Sequence, residues 1–222
     1  PAGCTAATIL ARKGWSVTLL EKDRYPRFHI GESLLPMNLP ILQRLGVLDE
    51  IARIGVLKIG ADFPAPSAEG YKVFRFDRAL DPTWSNAYQV RRDEFDSVLL
   101  ENAAENGVTV FQGQRVSSFR AGSDSVVVEG RSDAGEPFRC QARYLVDATG
   151  RGTLIGNQLR LKRKSRRHQS AALFAHFRGV ERRPGSDQGN ISIYRFEHGW
   201  VWLIPLRDGV TSRGAVCWPD YL

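Results

Sequence analysis

Trp200 and Trp202 stand two residues apart in Gly199-Trp200-Val201-Trp202-Leu203-Ile204-Pro205. On a β-strand that spacing turns both indoles to one face. The plain reading of such a pair is a core contact inside a sheet, with each indole N–H in need of a partner. At the other end, Pro1-Ala2-Gly3-Cys4-Thr5-Ala6-Ala7 opens an Ala/Leu helix that runs to about Lys13, and Gly14-Trp15 makes a turn. Ser16-Val17-Thr18-Leu19-Leu20-Glu21 then reads as a buried parallel strand ending in an acid. This is the second half of a dinucleotide fingerprint. Gly3 stands as its last glycine, and Glu21 lies 18 residues beyond, where a ribose-binding acid is expected. The free N–H groups and dipole of the helix N-terminus would hold a pyrophosphate. The alternative is an ordinary αβ unit. The first strand and the first two glycines of the motif are not in the chain, which therefore reads as a fragment.

Composition bounds the rest. The chain has 222 residues, 42% hydrophobic and 25% charged, enough for one large or two small domains with a real core. No run is apolar enough to span a membrane and no signal peptide is visible. Cys4, Cys140 and Cys217 are far apart and form no metal pattern with the four histidines, so no metal is expected and a reducing cytoplasm is the natural compartment. Cys4 reads as a small packing residue. The net charge is +7, and Arg160, Lys162, Arg163, Lys164, Arg166 and Arg167 crowd one segment. A nucleic-acid patch is conceivable, but the run has no interleaved aromatics, and a solvated connection with no nucleic-acid partner is the expectation.

The elements that must position these residues follow in order. Lys22 to Ser33 is a polar loop at a strand's carboxyl end, broken by Pro26 and Gly31. Leu42, Leu45, Leu48, Ile51 and Ile54 have helical spacing, interrupted near Gly46. Lys58–Phe63 and Tyr71–Phe76 read as strands. A helix begins at Arg92-Asp93-Glu94-Phe95-Asp96 with Asp93 as its cap, buries Phe95, Val98, Leu99 and Ala103, and ends at Asn106-Gly107 before a strand at Val108–Phe111. Val116–Phe119, Ser125–Glu129 and Phe138–Ala142 read as a meander, and Tyr144–Arg151 as a buried strand ending in a small-residue turn. Ala171–Phe177, Ile191–Phe196, Trp200–Pro205 and Thr211–Trp218 are β again.

The succession of P-A-G, Glu21, H-I-G-E-S, a β insertion, V-R-R-D-E-F-D, D-A-T-G-R and a second β block resembles the flavoprotein monooxygenase superfamily with a p-hydroxybenzoate-hydroxylase-like fold. G-W-V-W-L-I-P matches the G-W-x-W-x-I-P signature of flavin-dependent halogenases, and Arg27-Phe28-His29-Ile30-Gly31-Glu32-Ser33-Leu34-Leu35-Pro36 is similar to the subgroup that halogenates phenols or pyrroles, often tethered to a carrier protein. The resemblance implies an α/β (mixed α+β) chain: a Rossmann-like FAD-binding domain with an inserted antiparallel β-sheet region on the substrate side. On that division, residues 1–57 and 85–157 form the discontinuous FAD-binding domain, and 58–84 and 158–222 the substrate-side region.

The same resemblance implies a reaction. FAD, reduced by a separate flavin reductase acting in trans, reacts with O₂ and a halide co-substrate to give hypohalous acid. This acid reaches a small electron-rich aromatic through a tunnel, at whose end a lysine binds or polarises it. Lys58 matches that lysine; its plain alternative is a charged residue at a strand start. A lysine suits the role if apolar surroundings lower its pKa. Trp200 and Trp202 would keep substrate off the flavin. Pro1, Ala2, Gly3, Glu21, Lys22, Arg27, Gly31, Glu32, Ser33, Arg92, Asp147 and Gly150 would bind cofactor. Arg92 could instead be a surface ion pair with Asp93 or Glu94. The later G-D motif and the F-x-P-x-x-S-x-G-type halide loop do not occur before Leu222, and no glutamate is assigned as partner of Lys58. The 222 residues alone are therefore expected to bind FAD poorly and to be inactive. The alternatives are a flavin monooxygenase or reductase on the same scaffold, and a non-catalytic nucleotide-binding or interaction domain.

Overall fold

The computed structural model describes residues 1–64, 70–163, 165 and 169–221. The helices are α1 (Ala2–Arg12), α2 (Leu39–Leu45), α3 (Leu48–Ile54), α4 (Arg92–Glu105) and α5 (Leu154–Gln158). The strands are β1 (Thr18–Glu21), β2 (Val56–Lys58), β3 (Gly60–Pro64), β4 (Tyr71–Arg75), β5 (Ala87–Gln89), β6 (Thr109–Gln112), β7 (Gln114–Ala121), β8 (Val126–Ser132), β9 (Pro137–Ala142), β10 (Ala171–Arg178), β11 (Ile191–Phe196), β12 (Gly199–Pro205) and β13 (Val210–Cys217). Among the described residues no helix is long and apolar enough to cross a membrane. Contacts divide the chain into two compact units, Pro1–Phe28 with Asp96–Lys164 and His29–Phe95 with Ser165–Leu222. The boundaries drawn from sequence separate cofactor from substrate functions, which is a different question from contact density.

In the first unit, α1 buries Cys4, Ala7 and Thr8 on one face, and Thr8 Oγ1 returns a hydrogen bond to the Cys4 carbonyl at 2.9 Å. The chain turns back so that β1 runs parallel to β6, with Glu21 opposite Gln112 at the carboxyl end. β7, β8 and β9 form the antiparallel meander, longer than the sequence pattern indicates. Phe119, Val126 and Val128 make its core, with Leu20, Val116, Leu145, Leu154 and Ile155 packed on it. Full burial of side chains of this size is worth about 1.5–3 kcal/mol each.

Two expectations fail in this unit. β1 is half-buried, its first residue exposed, rather than a fully buried strand. The segment from Tyr144 to Thr149 is not a strand at all: Tyr144 and Val146 are exposed and only Leu145 turns into the meander core. An apolar run becomes a strand only when a neighbour takes up its backbone N–H and C=O groups, and among the described residues none pairs with it.

In the second unit, α2 and α3 carry the leucine and isoleucine spacing, and Gly46 at φ 77° supplies the left-handed cap between them. β2 pairs with β5. A six-stranded sheet has the order β10-β13-β12-β11-β3-β4; all its pairs are antiparallel except β11 with β3, a departure from the wholly antiparallel sheet expected. Trp202, Ile204, Leu206 and Val210 form the core on this sheet, with Ile30, Ile191 and Val216 against them. Helix α4 starts at Arg92, so Asp93 lies in its first turn rather than capping it. There it pairs with Arg91 at 3.2 Å, and an acid in a first turn suits the helix dipole.

Candidate active site

The start of α1 is solvent-exposed at Pro1 and Ala2. A Cβ on Gly3 would come within 3.3 Å of the Ala148 Cβ, so the absent side chain lets the 147–150 segment approach the helix. Glu21 stands at the end of β1, half-buried. One of its oxygens accepts from the Asp23 N–H at 2.9 Å, and the other meets the Tyr25 hydroxyl at 3.4 Å. Lys22 is exposed and pairs with Asp23 at 3.5 Å. Arg27 points inward: Nη1 lies 3.1 Å from the carboxylate of Asp96, which is fully buried, and Nη2 donates to the Tyr25 hydroxyl at 2.9 Å. Burial first, and the charge of Glu21 next, push the Tyr25 phenol well above its ordinary range.

Asp147 is held by its own turn. Its carboxylate accepts from Thr149 Oγ1 at 2.6 Å, from the Thr149 N–H at 3.0 Å and from the Ile155 N–H at 2.8 Å. Desolvation alone would raise its pKa, but these hydrogen bonds outweigh it and hold the carboxyl below its usual value. Gly150 follows at φ 57°, exposed, in a left-handed conformation that favours glycine.

In the second unit the residues converge on one segment, His29–Leu34. Arg92 Nη1 donates to the carbonyls of Ile30 at 2.9 Å and Gly31 at 3.4 Å, and Asp93 and Glu94 pair with Arg91. A Cβ on Gly31, whose φ is 110°, would lie 2.9 Å from that guanidinium. Glu32 is buried and meets Nε2 of His176 at 2.6 Å. Ser33 Oγ and the Leu34 carbonyl accept from Lys58 Nζ at 2.8 and 3.0 Å.

Lys58 is the most unusual group in the chain. It is 2% exposed, at the end of β2, and its Nζ lies 5.3 Å from the centroid of the Phe76 ring. Among the described residues no carboxylate pairs with it. Burial lowers its pKa from the ordinary lysine value to about 8. A neutral amine and a hydrogen-bonding ammonium are then both populated near neutral pH.

Trp200 and Trp202 share a face of β12, with ring centroids 5.8 Å apart. Trp202 is buried in the sheet core and stacks near Phe174, while Trp200 is 38% exposed. One indole is therefore core, and the other has an open face. Of the basic run, Arg160, Lys162 and Arg163 are exposed. Lys164, Arg166 and Arg167 lie outside the described residues.

His176, Asp96 and Gly214 were not singled out by sequence. A lone histidine within Ala175-His176-Phe177 and an acid on the apolar side of α4 are signals that could have marked the first two. Gly214 has no such signal, because its need arises from the Trp202 ring lying where its Cβ would be.

Residues 1–221 match the family described as FAD binding domain. The chain is 36% identical to a tryptophan 2-halogenase of Chondromyces crocatus over 97% of this chain and 41% of that protein. Among solved structures it is similar to a flavoprotein/dehydrogenase from Cytophaga hutchinsonii (TM-score 0.91, 32% identity, 100% of this chain and 54% of that one). It is also similar to CmlS, a flavin-dependent halogenase (TM-score 0.90, 32% identity, 99% of this chain and 40% of that one). The chain spans about two fifths of the length of that curated relative. Within the first unit, an acid at the end of β1 and a glycine that leaves room at the start of α1 are residue types that fit a dinucleotide cofactor. The mixed α/β architecture expected from sequence is the Rossmann-like fold of these flavoproteins, and the chain belongs to the FAD-binding domain family.

Proposed function

We propose that the protein is a flavin-dependent halogenase. It would use reduced FAD, O₂ and chloride or bromide to make hypohalous acid and halogenate a small electron-rich aromatic, either free or tethered to a carrier protein. The carrying observation is Lys58: buried, held by Ser33 and Leu34, with no carboxylate partner among the described residues and a pKa lowered to about 8.

Ala2 and Gly3 at the start of α1 would hold the pyrophosphate by backbone N–H groups, with Pro1, which has no N–H to donate, leading into the helix, and Glu21 would hold the ribose. Lys22 would add positive charge beside them. Gly31 and Ser33, with Arg92 behind their backbone, would shape the flavin end. Asp147 and Gly150 would form the turn beside Gly3, and Arg27, through Asp96, and Glu32, through His176, would each fix the loop it stands in. When bound in reduced form, FAD supplies the two electrons that take O₂ to the peroxide level. The Lys58 ammonium would donate a hydrogen bond to the oxygen of hypohalous acid and polarise its oxygen–halogen bond. The neutral amine would instead take the halogen onto nitrogen, releasing water. Either form presents an electrophilic halogen to the ring. Trp200 and Trp202 would hold the aromatic away from the flavin. The free cysteines suit a cytoplasmic setting.

The test supplies the full-length protein with FAD, a flavin reductase in trans, O₂ and bromide, against phenols, pyrroles and indoles, and reads products by mass spectrometry. A brominated product supports the proposal; a product that gains only oxygen contradicts it. The likeness to the Cytophaga hutchinsonii flavoprotein/dehydrogenase favours a second reading, a flavin monooxygenase or reductase. Consumption of NADPH without any separate reductase would support that one.

A further inference from the structure

Glu32 is 1% exposed, and nothing in the halogenation scheme consumes its carboxylate. Oε1 lies 2.6 Å from His176 Nε2. Oε2 is buried with no hydrogen-bond partner among the described residues. A buried carboxylate with half its acceptor capacity unmet is costly to keep, so its place needs a reason.

The backbone around it supplies one. The Glu32 carbonyl accepts from the Val90 N–H at 2.8 Å, and the Leu34 N–H donates to Tyr88 at 3.0 Å. Between those two backbone ties, the segment offers Ser33 Oγ and the Leu34 carbonyl to Lys58. On the other side, Ile30 packs on the Trp202 core. His176 belongs to β10, in register with Ser212 of β13. Ser212 Oγ is the acceptor of the Trp202 indole N–H. The Glu32–His176 pair therefore joins the segment that holds Lys58 to the sheet position that holds Trp202.

We infer that Glu32 and His176 form a latch that positions Lys58: it keeps the Gly31–Leu34 backbone where Ser33 Oγ and the Leu34 carbonyl meet Nζ. Both are positioning residues. Their relevance to halogenation rests on the reading of Lys58 given above; their effect on the Lys58 amine does not.

The experiment measures the reactivity of Lys58 toward an amine acylating reagent by peptide mapping of the full-length protein, without halide or substrate, over a pH series from about 6 to about 11. In His176→Ala the amine gains access to solvent. Its acylation should speed up about tenfold, and its half-reaction pH should move up by about one unit toward the ordinary lysine value. His176→Gln, which keeps a donor at similar reach, should restore wild-type behaviour. Glu32→Ala, which removes the buried carboxylate itself, should match His176→Ala and takes its place if that variant does not fold. Unchanged Lys58 reactivity in the folded alanine variants overturns the latch. So does a His176→Gln variant as reactive as the alanine one. A loosened Lys58 in a protein that makes no halogenated product would instead keep the latch and refute the halogenase reading alone.

Discussion

Trp202 donates its indole N–H to Ser212 Oγ at 3.1 Å across the β12–β13 ladder. The register sets Trp202 opposite Gly214 and Ile204 opposite Ser212, so the indole leans to its diagonal neighbour and lies over the glycine. Burial of a tryptophan requires both conditions, room for the ring and a partner for the N–H. This strand pair meets both, which separates the fixed Trp202 from its exposed neighbour Trp200.

Adding a single methyl at Gly214 should therefore be felt. Gly214→Ala drives a Cβ into the Trp202 ring and is expected to cost about 1–3 kcal/mol by overpacking. Ser212→Ala leaves the buried N–H unpaired and should cost about 1–2 kcal/mol. Urea denaturation with tryptophan fluorescence measures both; a midpoint unchanged in Gly214→Ala would contradict the packing.

Lys58 makes stability depend on pH in a defined window. Its pKa is about 8 in the folded chain against 10.5 unfolded, so below about 8 the unfolded state gains the full advantage of binding the proton. That penalty falls between about 8 and 10.5 and vanishes above. Lys58→Met should raise unfolding free energy by about 2–3 kcal/mol near pH 7 and lose the gain as pH climbs through the window. Equal stability of the two proteins at pH 7 would show that the amine is solvated.

Arg27 neutralises a buried acid. Arg27→Met removes the guanidinium 3.1 Å from the Asp96 carboxylate and should destabilise by about 3 kcal/mol. The loss should shrink in the double variant with Asp96→Asn, since the carboxylate no longer needs a cation. Additive losses in that thermal or chemical denaturation cycle would argue against the pair.

The two tryptophans should separate in function. Trp200→Ala, at a site 38% exposed, should change stability by less than about 1 kcal/mol. Trp202→Ala should cost about 3–5 kcal/mol. If Trp200 is a wall between flavin and ring, its loss should admit hydroxylated product alongside the halogenated one, read by mass spectrometry. A product pattern identical to wild type would remove it from the site.

Local pattern was legible and long-range pairing was not. The break at Gly46, the common face of Trp200 and Trp202 and the acid ending β1 all follow from spacing and turn chemistry within a few residues. The Tyr144–Thr149 segment misled because apolar, β-branched composition signals a strand while the ladder partner decides it. Lys58 was marked by the resemblance, with a charged strand start as the plain alternative; the acceptors that hold its amine, Ser33 and Leu34, lie 25 and 24 residues earlier. His176 gains meaning only from Glu32, 144 residues away in sequence. Arg92 could be read as paired with Asp93 or Glu94. The fold adds what spacing cannot show, a contact of the Arg92 guanidinium with the Ile30 carbonyl and ion pairs of both acids with Arg91.

The most direct test of the proposed chemistry compares wild type with Lys58→Met in the full-length protein, with reduced FAD, O₂ and bromide supplied, and counts brominated product per reduced flavin consumed. A lysine that holds the electrophilic halogen should leave flavin consumption unchanged when removed, while brominated product falls about a hundredfold or more. Bromination at the wild-type ratio in Lys58→Met would contradict the central role assigned to this buried amine.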